Sequence, residues 1–246
     1  MIIGILILAL ILVFVMMNHN VRSLHLKTKN VLTEQKLLRS QMTPHFMFNS
    51  LSVLQGIIIN KEYKKSLNYI SKFSSLLRLS LENSRTTMVS LEKEVKAIEK
   101  YLIVQNIARQ LPFQYVISLD EKIHQKEVMI PPMLIQPFVE NAIKHGFREL
   151  KEDQSIKISF YYSQQNLTCT IKDNGVGIDF HKNTFSNTDT SISTDLIRER
   201  LGILSKEYEI KLGVSIDDIS GDNETGTIVM ISLPYKIQID NEGANS

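Results

Sequence analysis

The chain has a single cysteine, Cys169, among 246 residues. One thiol cannot close an internal disulfide or build a thiolate zinc site, so disulfide scaffolds and zinc ribbons are excluded and a reducing compartment is indicated. Net charge is also scarce: 28 Lys and Arg stand against 26 Asp and Glu, leaving +2. Nothing global therefore marks a nucleic-acid binder held by phosphate neutralisation, and no direct nucleic-acid contact is expected. No Gly-Lys-Ser/Thr follows a glycine-rich loop, which excludes a Walker phosphate loop, and the three-glycine dinucleotide fingerprint is missing as well. No internal repeat is seen. At about 150 residues per domain the length gives one to two compact units.

Charge is absent altogether from Met1 to Met17 (MIIGILILALILVFVMM). As a helix this run reaches about 25 Å, slightly short of a ~30 Å hydrocarbon core, and Asn18 to Val21 fall in the far interface. A cleaved signal peptide competes, but no basic segment precedes the run and no small-x-small cleavage site follows it. A membrane anchor is the expectation. Between Asn18 and Asn49, Arg22, Lys27, Lys29, Lys36 and Arg39 face only Glu34. By the positive-inside rule everything after residue 18 lies in the cytoplasm. On this reading no residues remain for an external sensor or an attached receiver.

Beyond the anchor, Val21, Leu24, Thr28, Val31, Gln35, Leu38 and Met42 recur at spacings of three and four, a seam able to pair with a second copy. It continues as Met47, Leu51, Leu54 and Ile58, then as Leu67, Ile70, Ser74, Leu77 and Leu81 on a second helix. Two such hairpins make a four-helix bundle; a monomeric hairpin packed on its own domain is the other reading. Ser90 is a plausible N-cap for a third helix, with Glu92 and Glu94 in its first turn where the dipole favours carboxylates. From Pro112 the period changes to two: Phe113 to Leu119, Ile156 to Tyr162 and Leu167 to Ile171 alternate, and strands follow around 212–216 and 227–233. Helices are expected at about 132–147 and 194–208, with Phe180 to Thr194 a polar loop. The fold class is α+β: 1–20 anchor, 21–43 helical linker, 44–111 helical region, 112–236 a two-layer α/β sandwich, 237–246 tail.

Three segments carry chemistry. In Gln41-Met-Thr-Pro-His45-Phe-Met-Phe-Asn49, Thr43 caps and Pro44 suits a first helical position, which places His45 in a first turn or at a kink. A helix N-terminus disfavours the imidazolium and welcomes an anion, so the neutral ring can attack a phosphoryl group. A surface histidine near a helix start is the alternative. In Glu140-Asn-Ala-Ile-Lys-His-Gly146, a helix brings Asn141 to one face with Lys144 and His145. That face offers an amide oxygen for a divalent cation, cationic groups for phosphates and, in Glu140, a carboxylate for a proton. A merely solvated helix face is the alternative. In Asp173-Asn-Gly175-Val-Gly177-Ile178, a carboxylate at a strand end can accept from an exocyclic amine while glycines let backbone approach a ligand, unless this is only a tight turn.

Together and in this order, the three segments resemble the LytS-like group of bacterial sensor histidine kinases. Gln-Met-Thr-Pro-His-Phe-Met-Phe-Asn-Ser is similar to its phosphoacceptor box, Glu-Asn-Ala-Ile-Lys-His-Gly to its asparagine box and Asp-Asn-Gly-Val-Gly-Ile to its first glycine box. Leu76 to Leu81, Glu99 to Gln105, Arg198 to Leu201 and Gly226-Thr227 match further. The resemblance implies an ATP-binding sandwich of the gyrase, histidine kinase and MutL type from about 112, and a dimerisation and phosphotransfer element around His45. It implies that Asp173 binds the adenine amino group, that Asn141 holds Mg²⁺ between phosphates, and that Glu140 is general base or proton-orienting group for His45. Lys144, His145, Gly175, Gly177, Ile178, Arg200 and Thr227 are implied to contact ATP. The phosphoryl group then passes from His45 to an aspartate of a response regulator, commonly of the LytTR type. A homodimer is implied, anchored by a single pass in the bacterial cytoplasmic (inner) membrane with its kinase region in the cytoplasm.

One departure stands out. Where the family carries a second glycine box, this chain has Ser191-Ile-Ser193-Thr194-Asp195-Leu196, and no glycine lies between Gly177 and Gly202. A non-catalytic or weakly nucleotide-binding scaffold with a degenerate lid is the second reading. A nucleotide-gated ATPase clamp is a third, which leaves the histidine box unexplained.

Overall fold

The computed structural model describes Met16, residues 44–148, 152–163, 166–178, 188–221 and 224–238, with the backbone alone of 44–47 and 188–193. The expected anchor, the seam from Val21 to Met42 and most of the polar loop lie outside these residues. Among the described residues no helix is long and apolar enough to cross a membrane.

Helix α1 (Pro44–Ile59) and helix α2 (Tyr63–Ser84) form the expected hairpin. Glu62 N–H bonds back to the Ile57 carbonyl and Lys61 N–H to that of Ile58, with Lys61 left-handed at φ 57°. This pair of bonds closes a helix C-terminus, usually with glycine at the left-handed position. Ser50, Ile57, Tyr69 and Leu76 face inward, whereas Leu51, Ile58, Leu67, Ile70 and Leu81 of the seam are exposed.

Strand β1 (Val89–Ser90) leads into helix α3 (Leu91–Ala108). Ser90 caps it as expected, its hydroxyl accepting from Lys93 N–H at 3.4 Å. Leu91, Ala97, Ile98, Tyr101, Leu102 and Val104 give α3 a buried face. At its other end Asn106 makes two 2.9 Å hydrogen bonds with the backbone of Phe113, which turns the chain into β2 (Gln114–Leu119).

The main sheet has the order β2-β4-β5-β7-β6, where β4 is Ser155–Ser163, β5 Asn166–Asp173, β6 Gly213–Asp218 and β7 Thr227–Leu233. Only β2 and β4 are parallel. Register aligns Ile158, Ile171 and Val229 across the sheet, and next to them Phe160, Cys169 and Ile231. Both rows are buried, while alternate residues such as Lys157, Lys172 and Met230 are exposed. One face thus meets the core and the other meets water, which is why the two-residue period was visible.

Helix α4 (Gln136–Asn141), a π-helical turn (Ala142–Gly146) and helix α5 (Thr188–Glu207) supply core residues Phe138, Val139, Ile143, Ile197, Leu201 and Leu204. A second antiparallel sheet joins β1, β3 (Val128–Ile130) and β8 (Lys236–Ile237). The architecture is α+β. Two helix bounds are corrected. Met133 is left-handed at φ 64°, so the helix expected from 132 starts at Gln136. The later helix starts at Thr188 rather than 194.

Candidate functional site

Helix α4 is pinned by its apolar stripe. Phe138, Val139, Ala142 and Ile143 are buried, which leaves Glu140, Asn141 and His145 partly exposed and Lys144 exposed. Lys144 Nζ reaches back to Glu140 Oε1 at 2.6 Å. Arg148 donates to His145 Nδ1 at 3.0 Å, so that nitrogen is unprotonated. Burial, then the neighbouring Arg148 and Lys144 charges, hold His145 below the ordinary histidine range, and it is neutral at pH 7.

Gly146 ends the π-helical turn against the loop after β5. Its carbonyl accepts from Val176 N–H at 3.0 Å. A Cβ on Gly175 would collide with the Gly146 backbone, and one on Gly146 would sit 2.9 Å from Asp173 Oδ1. The two segments touch backbone to backbone, a contact only glycines permit here. Gly226 makes a similar approach to the Asp173 carbonyl, at φ 141°.

Asp173 closes β5 and is 3% exposed. Its Oδ1 accepts from Gly175 N–H at 2.9 Å, and Thr227 contributes a backbone hydrogen bond from the start of β7. Burial raises its carboxyl above the usual range; those two hydrogen bonds oppose the rise and the nearby Asp218 adds to it. Asn174 fastens the same corner, accepting from Ser155 N–H at 2.6 Å and donating to the Asp153 carbonyl at 2.7 Å.

On the far side, Asp218 Oδ2 accepts from Ile178 N–H at 3.3 Å and Oδ1 from Ser220 N–H at 2.9 Å. The Ser220 hydroxyl, then the Ser220 and Ile178 N–H groups, keep the Asp218 carboxyl below its usual range. Gly177, left-handed at φ 75°, has space only for a hydrogen beside Ser220 and Asp218.

The structure therefore gathers Gly146, Asp173, Gly175, Gly177, Ile178 and Thr227 at one edge of the sheet, with Glu140, Asn141, Lys144 and His145 on the helix that ends there. The two other expected residues lie on other helices. His45 falls in the first turn of α1. Arg200 is 3% exposed, and its Nη1 donates to the Pro132 carbonyl at 2.7 Å.

Residues 33–110 match the histidine kinase family. The sensor protein LytS of Staphylococcus haemolyticus is 30% identical over 208 residues, covering 82% of this chain and 34% of that protein. The sensor histidine kinase/phosphatase LytS of Staphylococcus aureus is 28% identical over 215 residues, 83% of this chain and 35% of that protein. The chain resembles the LytS-like sensor histidine kinases. It spans about a third of the length of these relatives. Among solved structures, the histidine kinase domain of the Erythrobacter litoralis EL346 blue-light activated kinase aligns over 84% of this chain and 95% of that one, with TM-score 0.45 and 15% identity.

Within this LytS-like frame, sequence reasoning missed Asp218 and Ser220, which shape the Gly177 turn, and the structural work of Asn174. Only the turn-forming composition of Ser220-Gly-Asp-Asn-Glu-Thr-Gly226 signalled that corner. It also missed the π-helical turn, which no residue pattern announces.

Proposed function

We propose that the chain is a membrane-anchored sensor histidine kinase of a two-component system. The observation that carries this is the backbone contact of Gly146 with the Asp173-to-Gly177 loop, which brings the helix of Glu140 and Asn141 to a buried carboxylate.

The donor set fits a purine nucleotide with a divalent cation. Asp173 offers an acceptor for an exocyclic amine, Thr227, Gly175, Gly177 and Ile178 border it, Asn141 offers an amide oxygen for Mg²⁺, and Lys144 and His145 offer donors to phosphates. Bound there, ATP supplies the phosphoryl group and Mg²⁺ offsets its charge. His45 receives it: a ring nitrogen bonds phosphorus as the bond to the leaving oxygen breaks, and Glu140 takes or orients the proton on the opposite ring nitrogen. Lys144, paired with Glu140 at 2.6 Å, turns that carboxylate toward the helix end. The phosphoryl group then moves to an aspartate of a response regulator, of the LytTR type on the family resemblance. The exposed stripe of Leu51, Ile58, Leu67, Ile70 and Leu81 is the surface a second copy would cover in the 44–111 dimerisation region. Met1 to Met17 would anchor it.

Incubating the protein with γ-labelled ATP and Mg²⁺ gives acid-labile, base-stable label that is lost in His45→Gln. A folded dimer that takes no label refutes the kinase reading. The second reading, a signalling scaffold, is favoured by Ser191 to Leu196, which lie within helix α5 with no glycine-rich loop. Calorimetry with a non-hydrolysable ATP analogue separates the two: no heat at millimolar ligand selects the scaffold.

A further inference from the structure

Glu94 and Arg200 grip a single peptide group. Met133 N–H donates to Glu94 Oε1 at 3.0 Å, and the Pro132 carbonyl accepts from Arg200 Nη1 at 2.7 Å. These are the two ends of one peptide plane, held by side chains from α3 and α5. Both are almost fully buried, Glu94 at 2% and Arg200 at 3% exposure. Charged groups are rarely buried to this extent unless paired, because desolvation is costly.

Glu94 is not needed to start its own helix. Ser90 already caps α3, and Glu92 lies in the same first turn, ion-paired to Lys96 at 3.1 Å. The gripped peptide has a special position. It precedes the left-handed Met133, a conformation that L residues with a side chain adopt at a steric penalty. Met133 ends the proline segment and aims the chain into α4, and Glu140 and Asn141 follow within about two turns. Helix α3 packs along α2, which pairs with the α1 of His45. The peptide is thus where α3, which packs on the hairpin, the segment that leads into α4, and α5 meet.

We propose that Glu94 and Arg200 are positioning residues that clamp the Pro132–Met133 peptide and so fix the helix of Glu140 and Asn141 relative to α3 and α5. Arg200 acts through this peptide and does not touch the nucleotide. The clamp stands on the geometry above; its effect on phosphotransfer rests on the kinase reading.

The test uses the full chain in lipid nanodiscs, with Glu94→Met, Arg200→Met, the double variant and Glu94→Gln, which keeps the acceptor for Met133 N–H. Hydrogen exchange over residues 131–141 and the rate and KM of His45 labelling are measured. E94M and R200M should each speed exchange about fivefold or more and cut the saturating rate about fivefold or more, with KM for ATP moving less. The double variant should be no slower than the slower single, and E94Q should stay within about twofold of wild type. A silent E94M with R200M acting on KM alone overturns the clamp. So does E94Q as slow as E94M, or the same loss of rate in Ile158→Val, a core control, at equal loss of melting temperature. If neither single folds, the double, which leaves no unpaired charge, is compared with E94Q by the same criteria. A wild type that never labels His45 overturns the kinase reading instead, and exchange alone then decides the clamp.

Discussion

Replacing Gly175 by alanine tests the contact on which the site depends. The new methyl group would collide with the backbone of Gly146, which cannot rotate aside as a side chain could. Leaving the clash in place costs about 1–3 kcal/mol, as overpacking generally does. Relieving it means parting the two segments. That gives up the Val176-to-Gly146 hydrogen bond at 3.0 Å and the Gly175-to-Asp173 bond at 2.9 Å, about 1 and about 2 kcal/mol respectively. The less flexible unfolded chain returns about 0.4–1 kcal/mol. The net loss is about 2–3 kcal/mol, a fall in melting temperature of about 5–10 °C. Gly202 is the control: it lies inside α5, and nothing is within 4 Å of a Cβ built there. Gly202→Ala should stabilise by about 0.5–1 kcal/mol through helix propensity. Thermal melts of both variants and titration with a fluorescent ATP analogue read the outcome. Equal shifts in the two variants, or wild-type nucleotide affinity in G175A, would refute the close-contact argument.

The other predictions are independent of that contact. Asn106→Ala removes both hydrogen bonds to Phe113 and should cost about 2–3 kcal/mol in chemical denaturation; a loss under 0.5 kcal/mol would mean water replaces the amide. Asp173→Asn removes a carboxylate that burial already disfavours in its ionised form, so stability at pH 7 should hold or rise while affinity for the ATP analogue drops about tenfold or more. Unchanged affinity would remove Asp173 from the nucleotide site.

Much of this was visible in the residues because the signals were local and redundant. The Ser90 cap, the period-two strands and the three motifs each combine a backbone requirement with a chemical one. What was not visible lacked such a marker. Met133 turns left-handed without being glycine, so Pro131-Pro132 reads as a helix start. Strands β1, β3 and β8 are too short to show a period. Glu94 sits where a first-turn carboxylate is expected for the dipole, and only packing reveals that it points into the core. Arg200, in Arg-Glu-Arg-Leu, follows the motif but turns inward to Pro132.

Glu94 also gives the protein a pH dependence whose sign can be worked out. Burial pushes its carboxyl from 4.5 to about 7, with the Met133 hydrogen bond and the Arg200 charge pulling the other way. The folded state therefore holds this proton where the unfolded chain has released it. Stability from this group is fully present below pH 4.5 and is lost as pH rises to about 7. At roughly 1.4 kcal/mol per pH unit over that window, the loss is about 3 kcal/mol. Cys169, close enough to feel the Glu94 charge, is itself pushed upward by burial and stays neutral throughout. His145 works in the opposite direction, its depressed value making the folded state more stable as pH rises through the ordinary histidine range. The two separate in a difference experiment, because Glu94→Gln removes one slope and leaves the other. The unfolding free energy of wild type minus that of E94Q should fall by about 3 kcal/mol between pH 4.5 and 8 and level off above. A flat difference would mean that the Arg200 charge and the Met133 hydrogen bond fully compensate the desolvation of Glu94, so that its carboxyl ionises at the same pH folded and unfolded, near 4.5.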